Sequence, residues 1–216
     1  MLATKDQLNA LLGVFKTGDE LIYKKGEFII RPGQKPTGVF YIKSGLVKAY
    51  DISKYGEENL LVIRKEKEVF PLIWAVTGQE RHIIYEALSP TVLLHVDRKK
   101  FYDTLRNKPD TMVPVLDMVT EMYRIHSERI LNLEYRTVRE RLISFLLTMA
   151  NRFGHELEDG VIVIDVPLKH QDIASSINAT RETTSREMNY LENHGLVTNK
   201  SSIIKLIDLD KLNSYL

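Results

Sequence analysis

Cysteine is absent from the 216 residues. That excludes disulfides, thiolate zinc sites, cysteine-ligated iron–sulfur clusters and cysteine nucleophiles, and it fits a reducing compartment. An excess of charge of one sign is also missing. Thirty Lys and Arg face 29 Asp and Glu, a net charge of +1, so no global polycation draws the chain to nucleic acid. No apolar run approaches membrane-spanning length, and Met1–Gly18 has no basic stretch followed by an apolar core, so no signal peptide is expected. Gly-rich phosphate loops, zinc-spaced histidine pairs and a nucleophile beside a base are likewise not found. The expectation is a cytoplasmic, non-enzymatic protein with no metal and no cofactor. What is present is ordinary for a soluble globular chain, 44% hydrophobic and 27% charged residues, enough for one large domain or two small ones.

Three textures follow one another. From residue 20 to about 100, Pro32-Gly33, Ser44-Gly45, Tyr55-Gly56 and Thr77-Gly78 punctuate runs such as Val39-Phe40-Tyr41-Ile42 and Leu60-Leu61-Val62-Ile63. Short strands at that spacing predict an antiparallel barrel or roll. Ahead of it, Leu8, Leu11, Leu12 and Phe15 share one face of a helix over Lys5–Phe15.

From Thr111 the period changes. Met112, Leu116, Val119, Tyr123, His126, Ile130 and Leu133 recur at spacings of 4, 3, 4, 3, 4 and 3, an a/d heptad that predicts a long helix with a coiled-coil seam. Thr111 is the expected N-cap, with Pro114 harmless in the first turn. Val115, Met118, Met122 and Ile125 form a second apolar stripe. One stripe suits a second copy of the chain and the other suits the roll. His126 is the odd residue in the seam; a neutral imidazole fixing register is favoured over a pH sensor.

The last third is helical and then strand-like. Val138–Phe153 carries Leu142, Phe145, Leu146, Met149 and Ala150 on one face, and Val161–Ile164 reads as a strand. Lys169–Ile177 and Arg181–Asn193 read as helices either side of a break at Asn178-Ala179. Thr180 is the N-cap of the second and Gly195 its C′ stop. Leu196-Val197 and Ile203–Ile207 then pair as a hairpin. With Met188 and Leu191 inward, Arg181, Glu182, Ser185 and Arg186 share the outer face. That is winged helix-turn-helix geometry, whose second helix enters a major groove by its N-terminal end. Arginine grips guanine O6 and N7, and glutamate accepts from the cytosine amino group. Thr180, Thr183, Lys169, His170 and Gln171 flank this face, and Lys200 and Lys205 sit on the wing. Against this, residues 137–216 carry nine Lys and Arg and eleven Asp and Glu, a balance of −2. Spacing alone therefore leaves open a module that binds a ligand in the roll and uses its winged helix for protein contacts.

Leu168–Asn199, above all Thr180-Arg181-Glu182-Thr183 and Arg186, resembles the signature of the Crp/Fnr regulators. Asn132-Leu133-Glu134-Tyr135 and Arg141-Leu142 with Leu146, Leu147 and Ala150 resemble that family's hinge and first DNA-domain helix. Gly26-Glu27, Pro32-Gly33 and Gly38–Lys48 resemble its cyclic-nucleotide-type β-roll. The resemblance implies an α+β fold: an antiparallel β-roll sensor over 1–110, a dimerisation helix over 111–134 and a winged helix-turn-helix over 135–216. It implies a homodimeric transcription regulator on double-stranded, palindromic DNA with RNA polymerase as partner, in which Arg181, Glu182 and Arg186 touch bases.

The sensor departs from the pattern of the members that bind cyclic AMP. Arg81 matches the phosphate arginine, but His82 stands where a serine is usual, and Phe70-Pro71 falls where a Gly-Glu pair would hold the ribose. Ser127 matches a position that can touch the nucleobase. Control by cyclic AMP is therefore not expected, and Arg81, His82 and Ser127 remain candidates for an unidentified small effector. A haem ligand would have to be His82 or His95, either of which reads better as an ordinary histidine.

Overall fold

The computed structural model describes residues 2–216. Two compact units emerge, the first comprising the chain up to Ile52 and Leu61–Tyr123, the second Ser53–Leu60 and Arg124–Leu216.

In the first unit, α1 (Lys5–Phe15) starts at Thr4, whose hydroxyl accepts from the Gln7 N–H while the Gln7 side chain accepts from the Thr4 N–H. Such a reciprocal cap satisfies two otherwise orphaned donors. Strands β1 (Asp19–Tyr23), β2 (Phe28–Ile30), β3 (Val39–Ser44), β4 (Val47–Ile52), β5 (Glu58–Arg64), β6 (Val69–Phe70), β7 (Ile84–Ala87) and β8 (Thr91–Val96) follow. They form two four-stranded sheets, ordered β1-β8-β3-β6 and β2-β7-β4-β5.

Alternation along β3 explains the layers. Phe40 and Ile42 face the second sheet and join Val47, Ala49, Val62, Phe70, Tyr85 and Leu93 in the core of the roll. Val39 and Tyr41 point the other way, where Leu11, Val14 and Phe15 of α1 cover them. A strand buried on both faces reads as a continuous apolar run rather than an alternating one, as β3 does. One helix lies within the stretch read as strands, α2 (Leu72–Thr77), and a second, α3 (Arg98–Asn107), capped by Asp97, begins where that stretch ends. Phe101 and Leu105 of α3 complete the outer core.

A 3₁₀ turn, Pro109–Thr111, leads into α4 (Met112–Tyr135). Thr111 is not an N-cap. It is fully buried, and its hydroxyl donates to the Lys108 carbonyl at 2.7 Å. The turn continues into the helix, so no exposed first N–H needs that hydroxyl. Val115 is buried and Met118 packs on the outer core, whereas Met122 packs on the core of the roll. Val115, Met118 and Met122 of the second apolar stripe thus cover the roll.

In the second unit, α5 (Val138–Phe153) opens at Thr137 with a Thr137–Glu140 capping box. The paired hydrogen bonds from Thr137 hold the Glu140 carboxyl below its usual pKa. Strands β9 (Gly154–Glu156), β10 (Ile162–Ile164), β11 (Val197–Lys200) and β12 (Ile203–Leu206) form an antiparallel sheet ordered β9-β10-β12-β11. Between β10 and β11 lie α6 (His170–Ile177) and α7 (Arg181–Asn193), and α8 (Leu209–Asn213) closes the unit. Among the described residues no helix is long and apolar enough to cross a membrane.

Candidate nucleic-acid interface

The turn between α6 and α7 is set by two residues. Asn178 takes the left-handed conformation, φ 53°, at the end of α6, a conformation asparagine tolerates better than most side chains. Thr180 then caps α7 by accepting from the Thr183 N–H at 3.1 Å. Thr184, Met188 and Leu191 anchor one side of α7, each fully buried. A further clamp comes from α5: Arg139 Nε donates to Glu187 at 2.7 Å, and its guanidinium lies 3.4 Å from the centre of the Tyr190 ring. That ion pair raises the Arg139 pKa.

The opposite side of α7 is bare. Arg181, Glu182 and Arg186 are exposed. Arg186 leans back on Thr183, Nη2 to Oγ1 at 3.3 Å, while Arg181 and Glu182 have no hydrogen-bond partner among the described residues. Lys169 and Gln171 are exposed at the start of α6, and Lys200 is exposed at the end of β11. Beside Lys200, Ser201 and Ser202 both have positive φ, 53° and 64°, the mirror-image turn that joins two twisted strands most compactly. These residues supply guanidinium, carboxylate, hydroxyl and ammonium groups from two helices and a hairpin of one unit. Ser185 and His170 differ: both are half-buried, with His170 Nδ1 2.7 Å from Ser185 Oγ. Asn199, not singled out by the sequence, lies 3.0 Å from the other ring nitrogen.

The seam of α4 is uncovered. Met112, Leu116, Val119, Tyr123, Ile130 and Leu133 are all exposed, from 37% for Leu133 to 75% for Tyr123, and His126 is half-buried. A row of large apolar side chains left in water marks an interaction surface.

The sensor candidates occupy different settings. Arg81 and His82 are exposed in the coil before β7. Arg81, together with Arg64, partly offsets the upward push that burial exerts on the Tyr85 phenol. Phe70 is fully buried and stacked between Phe40 and Tyr85, with ring centres 5.3 and 4.7 Å apart. An aromatic pile thus fills the position aligned with the ribose-binding Gly-Glu pair. Ser127 is half-buried on α4. His95 is hemmed in by the Phe40 ring and by Gly38, where any side chain would overlap its imidazole. No cluster of three or more His, Asp or Glu residues suited to a metal occurs among the described residues.

Comparison with known proteins agrees with this geometry. Residues 140–215 match the family model of the Crp-like helix-turn-helix domain, and residues 20–108 match that of the cyclic nucleotide-binding domain. The global nitrogen regulator of Synechocystis sp. is 30% identical over 197 residues, covering 87% of this chain and 87% of the relative. In fold, the chain is similar to a CooA mutant from Carboxydothermus hydrogenoformans (TM-score 0.79, 24% identity, 94% of this chain and 89% of that one). It is also similar to FixK2 from Bradyrhizobium japonicum (TM-score 0.77, 23% identity, 91% and 96%).

Proposed function

Because the chain belongs to the Crp/Fnr family of DNA-binding transcriptional regulators, we propose that it binds an inverted-repeat promoter site in the cytoplasm as a homodimer. The copies pair through the α4 seam. Each sets α7 in a major groove, and the seated dimer contacts RNA polymerase. The observation that carries this reading is the contrast between the two faces of α7: Thr184, Met188 and Leu191 fully buried, Arg181 and Glu182 exposed without partners.

Arg181 and Arg186 each grip a guanine by its O6 and N7, and Glu182 takes a cytosine amino group. The half-site is of the TGTGA type, as the family's Arg, Glu and Arg pattern implies. Thr180, Thr183, Lys169, Gln171 and Lys200 hold phosphates around it. With a regional charge of −2, affinity for arbitrary DNA is modest, because counterion release scales with the few cations placed on phosphates. The protein catalyses no reaction. Cyclic AMP is not its effector, a reading that the buried Phe70 stack supports. Arg81, His82 and Ser127 are each candidate contacts for any effector, as the family pattern implies.

Selection of bound sequences from random DNA tests this. An inverted repeat with guanine-bearing half-sites about one helical turn apart is the expected product. Recovery of no preferred sequence, with binding to a protein partner instead, would favour a protein-contact role for the winged helix.

A further inference from the structure

His170, at the start of α6, touches both other elements of the DNA-reading surface. Its Nδ1 lies 2.7 Å from Ser185 Oγ on α7, and its Nε2 lies 3.0 Å from Asn199 Nδ2 on the wing strand β11. Two further bonds hold the wing, from the Asn199 N–H to Glu192 Oε1 of α7 at 2.8 Å and from the Leu168 N–H, in the segment before α6, to the Ser202 carbonyl at 3.0 Å. His170 is therefore fixed from both sides.

The chemistry of the three side chains sets the direction of each bond. An amide NH₂ only donates, so Nε2 accepts and the proton of the neutral ring resides on Nδ1. Nδ1–H then donates to Ser185 Oγ, and the serine hydroxyl keeps its own proton to give elsewhere. Helical hydroxyls commonly spend that proton on the carbonyl four residues back. Thr77, Thr104 and Thr148 do so here, at 2.7, 2.7 and 2.9 Å. Ser185 makes no such bond among the described residues. It lies one turn after Arg181 and next to Arg186, on the side of α7 read above as facing the groove.

We propose that His170 is a positioning residue that fixes the Ser185 hydroxyl as a hydrogen-bond donor toward DNA. That point of the surface then takes acceptors, either a phosphate oxygen or guanine O6 and N7, adenine N7 or thymine O4. It favours such acceptors over the amino groups of cytosine and adenine, which can reach only the one lone pair that His170 leaves on the oxygen. The inference rests on the reading of α7 as the groove-facing helix.

Two measurements on the full chain test it. Long-range proton–nitrogen NMR, with the His170 signals assigned by their loss in His170→Gln, reports which ring nitrogen is protonated in the native protein. A proton on Nδ1 with bare Nε2 is expected; the opposite tautomer overturns the proposal, because Ser185 would then donate to the ring and offer DNA only lone pairs. The second is affinity for a duplex selected by the native protein and for its single-base variants. Ser185→Ala is expected to weaken binding about three- to tenfold. The loss is uniform if the acceptor is phosphate and confined to one base position if it is a base edge. His170→Ala should cost about as much, and the double variant no more than either. Losses that multiply would make His170 a DNA contact in its own right, and an unchanged Ser185→Ala would remove the donor. Arg181→Ala serves as control: if it leaves base discrimination intact, the reading of α7 fails rather than the role of His170.

Discussion

Arg129 and Leu60, 69 residues apart, are joined by a 2.8 Å hydrogen bond from the guanidinium Nη1 to the Leu60 carbonyl. Nη2 reaches Asn59 Oδ1 at 2.6 Å and, more weakly, the Ser175 carbonyl on α6 at 3.4 Å. Through these bonds Arg129 ties Asn59 and Leu60, near the tip of the β4–β5 hairpin, to α6 within the second unit. Burial lowers the Arg129 pKa, and its Nε finds no partner among the described residues. Arginine stays charged at neutral pH even so, and the cost of desolvating it is met only by those oxygens.

Arg129→Ala should leave the Leu60 carbonyl and Asn59 amide without their donors, destabilising the protein by about 1–3 kcal/mol. Amide hydrogen exchange is expected to accelerate in residues 53–60 and in α6. Unchanged protection there would mean that the hairpin tip is held by something else.

The seam of α4 is the second target. Val119→Asp together with Ile130→Asp places carboxylates on exposed positions of a single chain, so each chain should still fold. In a dimer they become buried and uncompensated, at roughly 3–5 kcal/mol each. Sedimentation should show a dimer for the native protein and a monomer for the variant. A variant that still sediments as a dimer would place the interface elsewhere.

Phe70 is the third. It is locked in a stack with Phe40 and Tyr85, and neither it nor Pro71 offers a carboxylate to hold a ribose, so titration calorimetry with cyclic AMP should show no binding at micromolar concentrations. Binding that disappears in Arg81→Ala would restore the nucleotide cassette. Phe70→Ala should cost about 3–5 kcal/mol of stability.

Glu140 gives a pH dependence with a definite sign. Its carboxyl is held below the usual value by its bonds with Thr137. The stabilisation is fully present above the unfolded-state pKa of about 4.3 and is lost as pH falls through the lower folded-state value. Glu140→Gln keeps a side-chain acceptor for the cap but has nothing to titrate. Its thermal midpoint should therefore fall less steeply between neutral pH and pH 3 than that of the native protein.

What the sequence discloses is local. The heptad of α4, the helix over Lys5–Phe15, the Thr180 cap and the Gly195 stop all rest on periodicity or on chemistry a few residues wide. The structure has each of them. Thr111 misled because a buried threonine that donates to Lys108 and an exposed one that caps a helix look alike in sequence. Helix α3 leaves little pattern in the sequence because its two buried residues, Phe101 and Leu105, sit among charges. Long-range pairings leave no local pattern. Nothing near Arg129 announces Asn59, and nothing near His170 announces Asn199. The exposure of Arg181 and Glu182 is legible because charges opposite Met188 and Leu191 form a helical pattern. The internal bonds of His170 and Ser185 were not, because they join different elements.

The central claim is that α7 reads base sequence, and Arg181 tests it most directly. The measurement is the affinity of native protein and Arg181→Ala for a selected inverted repeat and for duplexes with one guanine replaced in each half-site, across a salt series. The account predicts that Arg181→Ala loses roughly 1–3 kcal/mol per half-site on the selected duplex. It also predicts that the variant no longer distinguishes that duplex from the one with the corresponding guanine replaced. An equal loss on both, with a salt slope reduced by about one, would make Arg181 a phosphate contact and contradict it.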